Sequence, residues 1–156
     1  MDHEMSDTGR TTNEYVTAMI GEQLFGLPIQ RVQDVFVPER ITRVPLSPPE
    51  IAGVLNLRGR IVTLIDMRRR LGLGDRAGDA PCMAVGVESR GESYGLLIDA
   101  VGEVLKLEDD TRQPNPINLD PRLARVSSGI HRLDGQLLMI VDVERVLDLG
   151  ISAAAA

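Results

Sequence analysis

The side chains able to do chemistry are few, and none has the company that catalysis needs. The histidines are His3 and His131, and the cysteine is Cys82. No H-x-x-x-H or C-x-x-C spacing offers a metal site. No G-x-x-x-x-G-K-[ST] or G-x-G-x-x-G loop offers a phosphate cradle. Gly72-Leu73-Gly74 follows a helix pattern rather than a strand, so it reads as a C-cap. His131 stands beside Arg132 in a strand–turn region and reads as a surface or half-buried histidine. Cys82 precedes the apolar run Met83-Ala84-Val85 and reads as a buried strand cysteine. Asp109-Asp110 reads as a solvated loop. The expectation is a protein with no enzymatic site, no metal and no cofactor.

What remains is a charged turn. From Gly53 to Asp66 the chain reads strand, tight turn, strand, with Arg58 at the tip and Gly59 beside it. An altered copy runs from Gly129 to Asp142, 76 residues on. There Gly53 matches Gly129, Leu57 Leu133, Gly59 Gly135, Asp66 Asp142 and Arg69 Arg145. Earlier in each half the offset is 69: Phe25-Gly26-Leu27 matches Tyr94-Gly95-Leu96, and Val32, Asp34 and Val35 match Val101, Glu103 and Val104. Matched glycines, strand apolars and an Asp helix cap in one order indicate an internal repeat. The halves differ in charge. Asp34 and Arg58 in the first are Glu103 and Asp134 in the second, so only the first can form an acid–base pair. Asp34 and Arg58 are therefore expected to lie close together. Such a pair either fixes the turn, worth ~0–1 kcal/mol if exposed, or orients a partner.

The elements that must position this turn are short. Residues 1–13 lack periodicity and read as a tail. Strands are expected at 15–20, 23–29 and 31–37, with Pro28 demoting the second to an edge or a bulge. Ser47-Pro48-Pro49-Glu50 has the pattern of a helix start. Asp66, Asp120 and Asp142 read as N-caps, and 75–81 as a linker. Arg68-Arg69-Arg70 is expected to face solvent at the end of a helix. The C-terminal half holds strands near 83–88, 94–98, 101–107 and 137–141. The fold expected is mainly β: one domain at 14–149 made of two similar, intertwined five-stranded barrels, about 14–80 and 81–149, each too small for a large core and so packed together, with a few short helices and a tail at 150–156.

Composition narrows the function classes. At 156 residues the chain can bury one shared core. A net charge of −6 argues against sequence-independent binding to nucleic acid or an anionic membrane. Two Tyr, two Phe and no Trp offer no stacking platform for bases. No apolar run approaches the ~18 residues of a membrane span, and the acidic start lacks the pattern of a signal peptide. An intracellular protein is expected.

At Phe25-Gly26-Leu27, Val32-Gln33-Asp34-Val35, Gly53-Val54-Leu55-Asn56-Leu57-Arg58-Gly59, Leu64-Ile65-Asp66 and Gly95-Leu96-Leu97-Ile98-Asp99 the sequence resembles the CheW family of bacterial chemotaxis adaptors. The resemblance runs from about Tyr15 to Leu149. It implies a pair of SH3-like barrels and a cytoplasmic, non-catalytic coupler, recruited to receptor arrays. The partners implied are the histidine kinase CheA, through its regulatory domain, and the cytoplasmic tips of methyl-accepting chemoreceptors, held in the groove between the barrels. Carried over residue by residue, Val32, Asp34 and Arg58 match receptor contacts. Asp34 stands where other members often carry Glu, with the same charge and a shorter reach.

The Pro-rich segment after Leu107 matches a region implicated in kinase contact, and the strand 101–105 is a further docking edge. The kinase-side candidates are Val101, Leu105, Arg112, Gln113 and Ile117. Gln113 separates Arg112 from Pro114, displacing the family's usual Arg-Pro order. Ile117 and Asn118 replace the commoner acidic–aromatic pair. A changed or weakened second kinase contact follows. A related adaptor of another chemosensory pathway, serving surface motility or gene control, has the same sequence features.

Overall fold

The computed structural model describes residues 11–74 and 82–148. Ten strands and three short α-helices follow one another in two matching runs. The first holds β1 (Thr12–Ile20), β2 (Gln23–Pro28), β3 (Asp34–Phe36), β4 (Ile51–Leu57), β5 (Arg60–Asp66) and α1 (Met67–Leu71). The second holds β6 (Met83–Ser89), β7 (Glu92–Ile98), β8 (Ala100–Glu108), α2 (Pro121–Val126), β9 (Ser127–Leu133), β10 (Gln136–Val141) and α3 (Val143–Leu147). Single 3₁₀ turns at Ile29–Arg31 and Asp109–Thr111 follow β2 and β8.

The strands form two five-stranded sheets, ordered β8-β1-β2-β10-β9 and β3-β6-β7-β5-β4. The repeat halves are therefore not the sheets. Each half lends its first hairpin to the sheet that carries the other half's last three strands. Expected subdomains at about 14–80 and 81–149 become two composite barrels. The swap is symmetric in register as well. In one sheet Gly26 on β2 faces Ile140 on the parallel β10; in the other Gly95 on β7 faces Leu64 on the parallel β5. Both glycines sit where leucine side chains crowd in, Leu138 over Gly26 and Leu64 over Gly95.

Each sheet curls until its two outer strands approach. Beyond β3, Thr42 bridges to Val54 on β4; beyond β8, Gln113 bridges to Ile130 on β9. At both crossings the edge strand carries a glycine, Gly53 at φ 149° and Gly129 at φ 151°. A Cβ on Gly53 would collide with the Thr42 carbonyl oxygen, and one on Gly129 would lie 3.0 Å from that of Gln113. Closure removes most of the unpaired backbone that an open sheet exposes.

The core explains why the strands read as nearly unbroken apolar runs. Leu55, Val62, Leu64, Ala84 and Leu97 fill the interior of the first barrel. Their pleat neighbours Ile65, Val85, Val87, Leu96 and Ile98 point the other way, into a larger core with Ala18, Ile20, Phe25, Leu27, Ile130 and Met139 of the second barrel. Successive strand residues face opposite sides, and here both sides are buried.

The helices follow local rules where their caps are sound. The Asp66 carboxylate accepts from the amides of Arg68 and Arg69, and Gly72, at φ 71°, closes α1. Asp120 caps α2 ahead of Pro121, and Asp142 caps α3.

Several local expectations need correction. No helix forms at 47–50, because Pro48 and Pro49 cannot donate and the residue before each is pushed out of the α region. The chain makes one turn at 45–46 and another at 49–50 instead. β2 is an interior strand; Pro28 is its last residue, beyond the ladder that β10 makes with Leu24–Gly26. The strand expected at 31–37 shrinks to β3, preceded by a 3₁₀ turn. Thr12 and Asn13, read as tail, pair with Glu108 and Leu107 in β1. Cys82 is half-buried and lies just ahead of β6. The tail over 1–10, the linker at 75–81 and the tail at 150–156 lie outside the described residues.

The basic run is not a solvated face. Arg68 makes a two-pronged bond to Asp99, at 3.0 and 2.7 Å, and Asp99 also accepts from the Gly21 amide. Arg70 is buried and donates to the carbonyls of Arg145, Val146 and Asp148, capping the end of α3. The residue matching Arg68 is Glu144. It bonds Arg31 at 2.6 Å and Ser89 at 2.9 Å, and these two bonds hold its carboxyl below the usual range. Each half thus ties its last helix, through an ion pair, to the segment just after the swapped hairpin, with the charges exchanged.

Candidate functional site

The Arg58 turn is a two-residue hairpin. Leu57 pairs with Arg60, and Arg58 and Gly59 both have positive φ, 55° and 83°. That is the turn whose twist suits a hairpin. The Asn56 side chain accepts from the Gly59 amide at 2.9 Å and fixes the tip. The Arg58 side chain, 78% exposed, reaches Asp34 on β3, 34% exposed, with Nη1 3.5 Å from Oδ2. The structure brings this predicted pair together. At the matching positions of the second barrel, Glu103 and Asp134 are both exposed acids.

Asp34 is held in place from behind. It faces Gly86 on β6, and a Cβ there would collide with the Asp34 carboxylate. Val32, the third receptor-side candidate, does not join the pair at the surface: it is partly buried and packs on the large core. Exposed apolar residues flank the pair instead. Val35 follows Asp34 on β3, and Ile61, 61% exposed, is the second residue of β5 after the turn. Ile61 was hidden in the sequence within the run Ile61–Ile65. Only closure of the barrel shows that its face points outward.

The kinase-side candidates fall on the second barrel. Val101 and Leu105 are half-buried on β8, whose only strand partner among the described residues is β1, and Val104 between them is exposed. Arg112 ends the second 3₁₀ turn, and Gln113 makes the bridge to β9 while its side chain accepts from Arg132. Ile117 is fully exposed. These five line the strand and the strap that follows it, away from the Asp34–Arg58 pair.

His131 is buried, not half-exposed. It lies inside the second barrel, where the repeat puts Leu55 in the first. The Thr111 hydroxyl spends its proton on the Glu108 carbonyl, so towards His131 Nδ1, 3.2 Å away, it accepts. Nδ1 therefore carries the ring proton, and Nε2 is a buried lone pair with no hydrogen-bond partner among the described residues. Burial pushes the His131 pKa down, and the Arg112 charge adds to this. Among the described residues no group of three or more His, Cys, Asp or Glu is placed to hold a metal, and no helix is long and apolar enough to cross a membrane.

The geometry is that of two rigid barrels displaying edges, turns and exposed apolar residues. Comparison with known proteins agrees. Residues 14–150 match the model of the CheW-like domain.

The chain belongs to the CheW family.

It is 29% identical to the probable chemotaxis protein CheW of Rhizobium etli over 158 aligned positions, covering 99% of this chain and all of that protein. The chemotaxis protein CheW of Klebsiella aerogenes is 28% identical, over 86% of this chain and 81% of that one. The crystal structure of the scaffolding protein TtCheW from Thermoanaerobacter tengcongensis superposes with a TM-score of 0.79 at 29% identity, covering 89% of this chain and 90% of that one. The paired-barrel architecture of this chain is that of the family.

Proposed function

We propose that the protein is a chemotaxis adaptor that couples the histidine kinase CheA to methyl-accepting chemoreceptors in membrane-associated arrays. It acts from the cytoplasm and catalyses nothing. Family membership and the named relatives support the class of function. The observation that carries the reading to residues is the Asp34–Arg58 pair, present in one barrel and replaced by two acids in the other. A scaffold with two different partners needs two different edges. The first barrel offers a charge pair, with Val35 exposed on β3 and Ile61 exposed on β5. The second offers β8 and the strap to Ile117.

In this reading Val32, Asp34 and Arg58 form the receptor side, with Val32 setting the position of β3 from the core. Val101, Leu105, Arg112, Gln113 and Ile117 form the kinase side. Each contact can be weak alone, because the array supplies avidity. The test is a ternary pulldown with the kinase regulatory domain and a receptor-tip fragment. Recovery of all three together, dependent on this protein, is the expected result. Binding to neither partner, or to one only in exclusion of the other, sinks the coupling role.

A further inference from the structure

The strap from Asp109 to Asn115 closes the second barrel through polar bonds to β9. Gln113 and Ile130 exchange two backbone bonds of 2.8 Å each. The Gln113 side chain accepts from Arg132 at 3.2 Å. The Asn115 side chain donates to the Ser127 carbonyl at 3.0 Å and accepts from the Ser127 hydroxyl at 2.8 Å. At the start of the strap, Thr111 accepts from His131 at 3.2 Å. Of the four polar or charged side chains buried among the described residues, Thr17, Ser127 and His131 lie on strands of this sheet. The first barrel is built differently. Thr42 and Val54 exchange the same two backbone bonds, but Gly86, Ile51 and Leu55 stand at the positions matching Thr17, Ser127 and His131. One barrel is closed against a titratable ring and the other against leucine.

The imidazole is surrounded on all sides. Nδ1 is spent on Thr111, and Nε2 meets no partner among the described residues. On β10, Leu138 stands opposite in register, and that strand carries no ionisable residue. On β1, the Tyr15 ring lies with its centroid 6.1 Å away. Burial pushes the Tyr15 pKa up, with Asp109 adding and Arg112 opposing, so it stays neutral. Glu14 beside it is exposed, as are Glu103 and Lys106 on β8 and Arg132 on the ring's own strand. From the strap, Arg112 opposes a charge on the ring and Asp109 favours one. Protonation would therefore place a charge and an N–H without an acceptor inside the barrel. The shortest route from Nε2 to water is to lift the strap, which leaves the β9–β10 ladder intact.

We propose that His131 is a pH-operated latch: neutral, it keeps residues 109–115 shut on β9, and protonated, it releases them while both sheets persist. Release moves Arg112 and Gln113 and uncovers the edge of β9. The first barrel has Leu55 in place of the ring, so acidification alters the surface of one barrel only. The closed strap refuses a proton that the open strap accepts. Closure is therefore fully favoured above the ordinary histidine value of about 6.5 and is lost as pH falls towards the folded pKa. The open population rises by up to about tenfold per pH unit across that window. The latch does not rest on the function proposed above. Its consequence for the kinase does, because Arg112, Gln113 and Ile117 are kinase-side residues only in that reading.

Hydrogen exchange of the full-length protein, followed by NMR from pH 7.5 to 5.5 and corrected for intrinsic rates, tests the latch. The amides of Gln113 and Ile130 should lose protection by up to about tenfold per unit below about pH 6.5. At pH 5.5 they should exchange faster than the amides of β10, through an opening that low urea does not speed, because a lifted strap exposes little surface. In His131→Leu the strap should stay protected across the whole range. Should that variant not fold, the carbon-bound ring protons of His131 in the wild type report its protonation, which should coincide with the loss at Gln113 and Ile130. Four results overturn the latch: protection that ignores pH, strap and β10 amides exchanging together and both sped by urea, the same loss in His131→Leu, or a ring that protonates under a closed strap. Binding of the kinase regulatory domain tests the consequence. It should weaken from pH 7.5 to 5.5 in the wild type and not in His131→Leu; equal weakening in both overturns the control. Absence of kinase binding at either pH counts against the coupling function, and the exchange data still decide the latch.

Discussion

Asp34 and Arg58 belong to opposite borders of one sheet, yet their side chains meet at 3.5 Å. Asp34 is on β3, one edge strand, and Arg58 turns the corner from β4, the other. The contact exists because the sheet has closed into a barrel. The second barrel closes in the same way and places acids, Glu103 and Asp134, at both matching positions. Closure therefore does not need the ion pair, which frees its charges to be read by a partner.

Arg58→Glu should change stability by less than about 1 kcal/mol, since the pair is solvent-exposed, while receptor-tip binding falls about tenfold or more. Thermal unfolding and a receptor-fragment binding titration measure the two separately. Restoration of binding by the swapped Asp34→Arg, Arg58→Glu protein would show that pairing, not the sign at each position, is what the partner requires. An unfolded Arg58→Glu protein would make the pair structural.

Gly53→Ala should be the more damaging of two matched substitutions. Both glycines have φ near 150°, but a Cβ at Gly53 runs into the Thr42 carbonyl while one at Gly129 stops 3.0 Å short of that of Gln113. A cost of about 2–4 kcal/mol is expected for Gly53→Ala and about half that for Gly129→Ala. Urea unfolding of the two variants gives the order; equal costs would mean the strand crossings differ less than their contacts do.

Arg70→Met should destabilise by about 2–4 kcal/mol. It keeps the stem but removes the donors to three carbonyls at the end of α3, two of them partly shielded from water. Hydrogen exchange at Val146 and Leu147 should rise more than that in β6. Unchanged protection at α3 would show that the helix end is satisfied without Arg70.

His131 should make stability depend on pH. Its folded pKa is lowered by burial first and by Arg112 second, with Asp109 opposing. Above its unfolded value, about 6.5, neither state binds the proton and the term is constant. As pH falls below that value the unfolded state takes up a proton that the folded state refuses, so stability drops by up to about 1.4 kcal/mol per unit until the folded pKa is reached. His131→Leu, which copies Leu55 of the other barrel, should remove this slope. Urea midpoints at pH 7.5 and 5 for both proteins test it; parallel losses would place the pH sensitivity elsewhere.

Much of the site was legible because the repeat made a comparison possible. Asp34 and Arg58 stood out as the acid–base pair without a counterpart, and a tight turn was legible at Arg58-Gly59 between two strands. What the sequence concealed was orientation. Arg68 and Arg70 lie in one basic run, yet one is clamped by Asp99 and the other is buried against α3, because a five-residue helix wedged between barrels has little solvent face. His131 read as a surface or half-buried residue beside Arg132, but strand alternation points Arg132 outward and His131 into the barrel. Ser47-Pro48-Pro49-Glu50 carried the beginnings of a helix and also the prolines that prevent it, and the prolines won.

The sequence by itself determined the local pieces: two runs of five strands, aspartate caps at Asp66, Asp120 and Asp142, glycines at the tips, and one half charged differently from the other. These depend on neighbours along the chain, where alternation, capping and backbone φ act over a few residues. Only the tertiary structure decided which strands share a sheet, that the first hairpins change places, and which face of Ile61 or His131 meets water. Those outcomes depend on pairing between residues 31 to 114 positions apart, a choice made by burying both faces of each sheet at once.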